Sequence, residues 1–389
     1  MLDIKAIRAE TPACQHTLHF NNAGASLMPQ PVYEAVIRHL SLENEVGGYE
    51  AESRASADLQ AFYTEFAQLL NASASEIAYV ENATRAWDMA FYGLPLQAGD
   101  RILTHESEYS SNYLGMLQQA KRKNLHIDLI PSDEFGQIDV KSIPDLIQNQ
   151  TRLVAITHVP SQGGLVNPAE EVGKIAKQHG LIYLLDACQS AGQLEVDVKR
   201  LQCDILSGTG RKFLRGPRGT GFLYVNSDFL EQIDPPFVDL LSTDWTEDNV
   251  YSLVPGAKRF ENWESYVAGR VGLMQAVRYA NALGLHNIEA RVNQLATQLR
   301  SALSEIEGVE IHDQGIKKCA LVTFTKNKID PSVIAQRLLS KNINISTTAL
   351  THARLDLGRR QLNSLARASV HYFNTDDEID RFVEAVKAL

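Results

Sequence analysis

Cysteine is scarce in this sequence, with four residues among 389. Cys14, Cys188, Cys203 and Cys319 form no CxxC pair and show no metal-like spacing with histidine. The pattern argues against a zinc site and a disulfide framework. We therefore expect no metal, and we expect each thiol to be buried or inert.

Long hydrophobic runs and an excess of positive charge are also lacking. No apolar stretch approaches the roughly 20 residues that a membrane span requires. The N-terminal residues do not resemble a secretion signal. The net charge of -10 disfavours non-specific nucleic-acid binding, although a small anion can still use a local basic pocket. These absences predict a cytoplasmic protein with a small-molecule partner, and neither nucleic acid nor membrane as a partner.

Short apolar segments of strand length alternate with helical patterns in the first part of the chain. They are rich in β-branched residues and mostly unalternating, as expected for strands buried on both faces. The segments cover residues 76–80, 100–105, 126–132, 152–159, 181–187, 203–209 and 220–225. Their alternation with helices predicts an α/β fold with a mostly parallel, seven-stranded sheet.

The pattern changes after residue 260. A long helical stretch is followed by short strand-like segments and a final helical segment. This predicts a smaller α+β C-terminal domain. We assign residues 15–260 to a large domain and residues 261–389, together with residues 1–14, to the small one.

Lys212 lies in a segment, residues 207–225, where a lysine follows a strand and precedes a glycine-rich turn. Ligands of open α/β sheets bind beyond the carboxyl ends of the strands, so this amine is placed for imine chemistry. A solvated loop lysine is the alternative. A phosphate-binding P-loop is excluded because GxxxxGK[ST] is absent.

Asp186 ends an apolar strand, and Gln189 follows three positions later. A buried carboxylate needs a cationic partner, and a protonated pyridine ring is one. Asp186 would keep the ring nitrogen of pyridoxal 5′-phosphate (PLP) charged, while Gln189 would contact its phenolic oxygen. A helix N-cap is the alternative role for Asp186.

Two further loops suit the same pocket. Asn82 and Thr84 follow a strand and open a helix, where backbone N–H groups and a hydroxyl can bind phosphate. Tyr109 follows another strand and can stack on an aromatic ring. Helix capping by Thr84 and simple packing of Tyr109 are the alternatives.

Together these residues make the chain recognisable: it resembles the class V aminotransferase superfamily. The superfamily includes cysteine desulfurases, isopenicillin N epimerase and hercynylcysteine sulfoxide lyases. The resemblance runs from FNNAGASLMPQPV (20–32) to SLARASVHYFNTDDEIDRF (364–382). Its most specific motifs are DACQ (186–189), SGTGRK (207–212) and RASVHYFNT (367–375).

The resemblance implies a PLP-dependent transferase of fold type I, an amino-acid substrate and a homodimer with active sites near the subunit interface. It makes Lys212 the catalytic residue, which holds PLP as a Schiff base and shuttles the substrate's α-proton. The other implied cofactor-binding residues are Ala83, Thr84, Tyr109, Ser161, Asp186, Gln189, Thr209 and Arg211. The implied substrate-binding residues are Asn22, Gly24, Ala25 and Arg367, the last of these for the α-carboxylate.

Two departures narrow the reaction. Desulfurases require a mobile cysteine before the arginine motif, yet residues 341–366 contain none. Glu264 stands where desulfurases carry a threonine that reaches the neighbouring subunit's phosphate. The segments RFENWE (259–264) and GRKFLRGPRGTGFLYV (210–225) favour the sulfoxide lyase and epimerase branch.

We therefore expect a C–S lyase that acts by β-elimination on a cysteine conjugate or sulfoxide. A class V aminotransferase or amino-acid epimerase is the alternative. A cysteine desulfurase and a non-catalytic scaffold are less favoured.

Overall fold

The computed structural model describes residues 2–389. Its helices are α1 Ile4–Ala9, α2 Gln30–Val46, α3 Gly48–Arg54, α4 Ser56–Leu70, α5 Ala83–Phe91, α6 Ser110–Lys123, α7 Ile143–Leu146, α8 Ala169–Gln178, α9 Val198–Leu201, α10 Val267–Leu283, α11 Leu285–Ser304, α12 Pro331–Leu339, α13 Arg354–Arg359 and α14 Asp376–Lys387. Its strands are β1 Leu18–His19, β2 Ile77–Val80, β3 Arg101–His105, β4 His126–Ile130, β5 Thr151–Thr157, β6 Ile182–Asp186, β7 Ile205–Thr209, β8 Gly221–Val225, β9 Thr243–Glu247, β10 Val250–Leu253, β11 Val309–Ile311, β12 Leu321–Lys326, β13 Ile343–Asn344, β14 Ser346–Ala349 and β15 Ser364–Ser369.

The main sheet has seven strands in the order β2-β8-β7-β6-β5-β3-β4. Strand β8 is antiparallel to both neighbours, and the other pairings are parallel. Each strand lies within or beside one of the seven apolar segments of the sequence. Strands β2, β7 and β8 are buried at every position, which explains why their sequences do not alternate. The predicted fold class is confirmed.

A second sheet lies in the C-terminal part of the chain. It is antiparallel, with the order β11-β12-β15-β14, and helices α11 and α12 pack on it. Helix α14 begins at a capping box formed by Thr375 and Glu378 and packs on α11. A short parallel pairing of β1 with β13 joins the N-terminal segment to this layer. The exact domain boundaries, 15–260 and 261–389 with 1–14, stay a prediction.

Two further features of residues 2–389 concern membranes and metal ions. No helix among them combines the length and apolarity that crossing a membrane requires. No group of three or more histidine, cysteine, aspartate or glutamate side chains in this range is arranged to hold a metal ion.

Candidate active site

The candidate site is a cavity of about 310 Å³ at the carboxyl-end edge of the main sheet. Strands β2, β3, β5, β6 and β7 run in the same direction, so the residues that end or follow them meet at one edge. All nine predicted cofactor-binding residues line the cavity: Ala83, Thr84, Tyr109, Ser161, Asp186, Gln189, Thr209, Arg211 and Lys212.

Lys212 lies inside this cavity rather than in solvent. Its side chain is buried, and its Nζ lies 3.3 Å from the Cys188 sulfur. Burial lowers the pKa of Lys212, because an ammonium group is poorly solvated there. The alternative of a solvated loop lysine is therefore wrong. A desolvated amine is well suited to imine formation.

Asp186 is the last residue of β6 and is buried. Its Oδ1 accepts from the Cys188 N–H at 2.7 Å, and its Oδ2 accepts from Asn112 Nδ2 at 2.8 Å. Turns follow it, so it does not cap a helix. Burial raises the pKa of Asp186, because the carboxylate lacks water. A pyridinium nitrogen would supply the positive charge that this carboxylate needs.

The predicted phosphate end of the cavity is the start of α5. Asn82 is the N-cap, and its Oδ1 accepts from the Arg85 N–H at 2.9 Å. The predicted alternative of Thr84 as the cap is therefore wrong, and its hydroxyl is not used for capping. Arg211 adds a positive charge and donates from Nη1 to Thr209 Oγ1 at 3.2 Å. A helix N-terminus, a hydroxyl and a guanidinium suit a phosphate dianion.

Gln189 links the predicted ring end of the cavity to the N-terminal loop. Its Nε2 donates to the Ala23 carbonyl and to Ser161 Oγ, both at 3.1 Å. Within residues 2–389, its buried Oε1 has no hydrogen-bond partner. A buried acceptor without a hydrogen bond is unfavourable in free energy unless a ligand donates to it. The site therefore fits a ligand with a polar group at this position.

Arg367 lies on β15 next to the cavity and is buried. Its Nη1 donates to the Ser161 carbonyl at 2.9 Å, while its buried Nε has no partner in the described part of the chain. Burial and, to a smaller extent, the nearby Arg211 lower the pKa of Arg367 to about 10. A guanidinium in this state suits a carboxylate ligand.

The loop at residues 22–25 adjoins the cavity without lining it. Asn22 uses its side chain to hold the loop: Nδ2 donates to the Ser369 carbonyl at 2.8 Å, and Oδ1 accepts from Ser26 Oγ at 2.7 Å. The Ser26 N–H reaches the Arg211 carbonyl at 2.8 Å. Substrate contacts by Asn22, Gly24 and Ala25 stay predictions.

Several cavity residues were missed in the sequence. They are Asn112, Thr157, Val159, Cys188, Arg218 and Gly219. Cys188 stands inside the DACQ motif and Arg218 inside GPRGTG, so both were within reach of motif reasoning. Asn112 and Thr157 carried no signal, because only the packing of α6 and β5 brings them to Asp186.

Comparison with known proteins decides the family. A family model described as aminotransferase class-V matches residues 18–382. The chain belongs to this family. This class V protein is therefore a PLP-dependent enzyme, which confirms the predicted family and cofactor, and the cavity's donor set fits PLP.

Relatives of this class V enzyme include proteins named as desulfurases. A probable cysteine desulfurase from Pyrococcus abyssi is 30% identical over 98% of this chain and 96% of its own length. The apo structure of a cysteine desulfurase from Thermococcus onnurineus NA1 superposes with a TM-score of 0.92 at 28% identity, covering 100% of this chain and 99% of that one. The cystine C-S lyase C-DES, in complex with its product cysteine persulfide, has the same fold, with a TM-score of 0.88 at 23% identity over 97% and 99% of the two chains.

Proposed function

We propose that this enzyme is a C–S lyase that removes a sulfur-containing group from the β-carbon of a cysteine-derived amino acid. The observation that carries the proposal is the placement of Lys212 and Asp186 in one cavity, with Arg367 bonded to the cavity residue Ser161, combined with a cysteine-free segment at residues 341–366. The site suits removal of an α-proton, and the segment lacks the thiol that would accept sulfur in a desulfurase.

Three residues of the enzyme would each have a separate role in this reaction. When bound, PLP would supply an aldehyde that reacts with the substrate amine and a ring that withdraws electrons from the α-carbon. Arg367 holds the substrate carboxylate, and the Lys212 amine takes the α-proton because burial favours its neutral form. Asp186 holds positive charge at the ring nitrogen. Loss of the sulfur group from the β-carbon then leads, after hydrolysis, to pyruvate and ammonia.

Product analysis tests this proposal. Purified holoenzyme is incubated separately with cysteine, cystine, an S-alkylcysteine and its sulfoxide, and pyruvate and alanine are both measured. We expect pyruvate from at least one of the four and none from the Lys212→Ala variant. Holoenzyme that forms no pyruvate from any of them overturns the proposal.

Cysteine desulfurase is the second candidate function. Relatives at 28–30% identity carry that name, and the Cys188 thiol lies 3.3 Å from Lys212 Nζ in the cavity. Alanine rather than pyruvate from cysteine, together with a persulfide on Cys188, would identify this activity.

Transamination and epimerisation begin with the same proton removal. Exchange of the α-hydrogen with deuterium and no elimination would point to them.

The homodimer implied by the family resemblance is also part of the proposal. Large apolar side chains are more than half exposed in one segment beside the cavity: Phe237, Leu240, Trp245, Tyr251 and Trp263. Arg85, in the first turn of α5, lies 4.8 Å from the Phe237 ring, so the segment adjoins the phosphate end. Exposed apolar surface of this kind supports a subunit contact. Analytical sedimentation of the wild type should show a dimer, and the double variant Trp245→Glu, Leu240→Glu should dissociate more readily. A monomeric wild type would contradict the proposed dimer.

A further inference from the structure

Glu108 is a second buried carboxyl group behind the cofactor site, and the proposed reaction does not use it. Its side chain is 5% exposed. The charged group that acts on it within the described residues is the Asp186 carboxylate rather than a cation. A carboxyl that is buried without a cation must be held by hydrogen bonds or keep its proton.

Three of the hydrogen bonds of Glu108 converge on one oxygen, and the Thr104 hydroxyl lies 3.5 Å from the other, Oε2. Oε1 accepts from the Tyr109 N–H at 2.8 Å, from Asn112 Nδ2 at 2.9 Å and from the Thr157 hydroxyl. The same Asn112 Nδ2 donates to Asp186 Oδ2 at 2.8 Å. An amide nitrogen carries two hydrogens, so one goes to each carboxyl group. Asn112 therefore links Glu108 directly to the carboxylate that faces the ring nitrogen.

Two carboxyl groups joined in this way in a buried site do not both ionise easily. Burial raises the pKa of Glu108, and the neighbouring Asp186 raises it further, to about 7. Burial also raises the pKa of Asp186. The groups that face this pair are the Thr104 hydroxyl from β3, the Thr157 hydroxyl from β5, the Asn112 amide from α6, and Cys188 and Lys212 on the far side of Asp186.

We propose that Glu108 is a positioning residue that controls the cofactor contact of Asp186 through Asn112. The Glu108 carboxyl keeps the Asn112 amide aimed at Asp186 and fixes the backbone of Tyr109 at the start of α6. When Glu108 ionises, it adds a second negative charge behind Asp186, which strengthens the attraction for a positively charged ring nitrogen. The inference rests on PLP as cofactor and is independent of the reaction that follows.

The affinity for PLP at two pH values tests this role. Glu108→Gln keeps the acceptor oxygen but cannot ionise. The quantity to compare is the ratio of the variant's dissociation constant for PLP to that of wild type. This ratio should be close to 1 at about pH 6 and should rise to about 5 or more at about pH 8.5. A merely structural role predicts the same ratio at both pH values, and that result overturns the proposal.

Two further variants complete the experiment. Glu134→Gln makes the same chemical change on an exposed side chain. The ratio of its dissociation constant for PLP to that of wild type should stay near 1 at both pH values. If Glu108→Gln fails to fold by circular dichroism, Asn112→Ser leaves Glu108 ionisable but cuts its link to Asp186. This variant should bind PLP more weakly at both pH values, and unchanged affinity would overturn the proposal. Neither measurement uses catalysis, so the result is separate from the fate of the lyase assignment.

Discussion

Burial is the main influence on the charge of the Lys212 amine, and it lowers the pKa of Lys212. Arg211 and Arg367 lower the pKa further, and Cys188 and Asp186 act against them. We expect Lys212→Ala to lose the visible absorption band of the imine and at least about 10³-fold in turnover, because imine formation and proton transfer both require the amine. Absorption spectra and product assays measure the two effects. Lys199→Ala, which removes an exposed lysine, should retain both.

Cys188 was predicted to be buried or inert, and the structure places it half-buried in the cavity. PLP in this cavity should cover the sulfur, so alkylation of Cys188 in the cofactor-free enzyme should slow several-fold when PLP is added. Peptide mass spectrometry of the alkylated protein gives the rate at each thiol. Cys14, half-buried and outside the cavity, is the control whose rate should not change. Equal slowing at both thiols would contradict the assignment of the site.

At the scale of single residues, motif reasoning selected nine residues that the fold brings to one cavity, because PLP chemistry needs particular groups. An amine, a carboxylate and an arginine of the right spacing leave few other interpretations. Asn112 escaped this reasoning, since an asparagine on a helix carries no sign of a carboxylate partner 74 positions away.

Helix α5 shows how one element can serve both stability and binding. Asn82→Ala removes the N-cap and should cost about 1 kcal/mol of stability. It should also weaken PLP binding, because the N-terminal N–H groups of α5 lose their alignment toward the phosphate. Chemical denaturation and PLP titration measure the two effects.

The matched control for this variant lies on a helix that contributes no residue to the cavity lining. Asp330 caps α12 by accepting from the Ser332 N–H at 2.8 Å. Asp330→Ala should lose similar stability and leave the affinity for PLP unchanged. If both variants weaken PLP binding equally, general destabilisation rather than the position of α5 explains the effect.

The seven strands of the main sheet were predictable for a physical reason. Strands buried on both faces need continuous apolar sequence, and this signal is strong. The pairing order was not readable from the sequence, because any apolar strand can pair with any other until the helices are packed. The position of β8, antiparallel between β2 and β7, is a result of the tertiary structure.

Stability of the whole molecule should depend on the proton held by Glu108. In the cofactor-free protein, its folded pKa of about 7 exceeds the ordinary value of 4.5. Between these values the unfolded chain releases the proton and the folded chain keeps it, so the free energy of unfolding falls as pH rises. Glu108→Gln should gain up to about 3 kcal/mol relative to wild type across this window.

Denaturant titrations of the cofactor-free proteins at several pH values and one protein concentration measure this difference. Comparison at each pH is essential, because buried His105 and His158 act in the opposite direction. Burial lowers the pKa of both to about 4, so their contribution to stability is lost as pH falls from their ordinary value of 6.5. A constant difference between variant and wild type at all pH values would contradict the proton assignment.

The sequence alone determined the family and the cofactor and selected Lys212 as the expected imine lysine, because these depend on which chemical groups are present and in what order. Only the tertiary structure decided how Glu108, Asn112 and Asp186 share their hydrogen bonds and where Cys188 lies. Such contacts join β6 to α6 across long separations in the chain, and pKa values follow from burial, which is a property of packing.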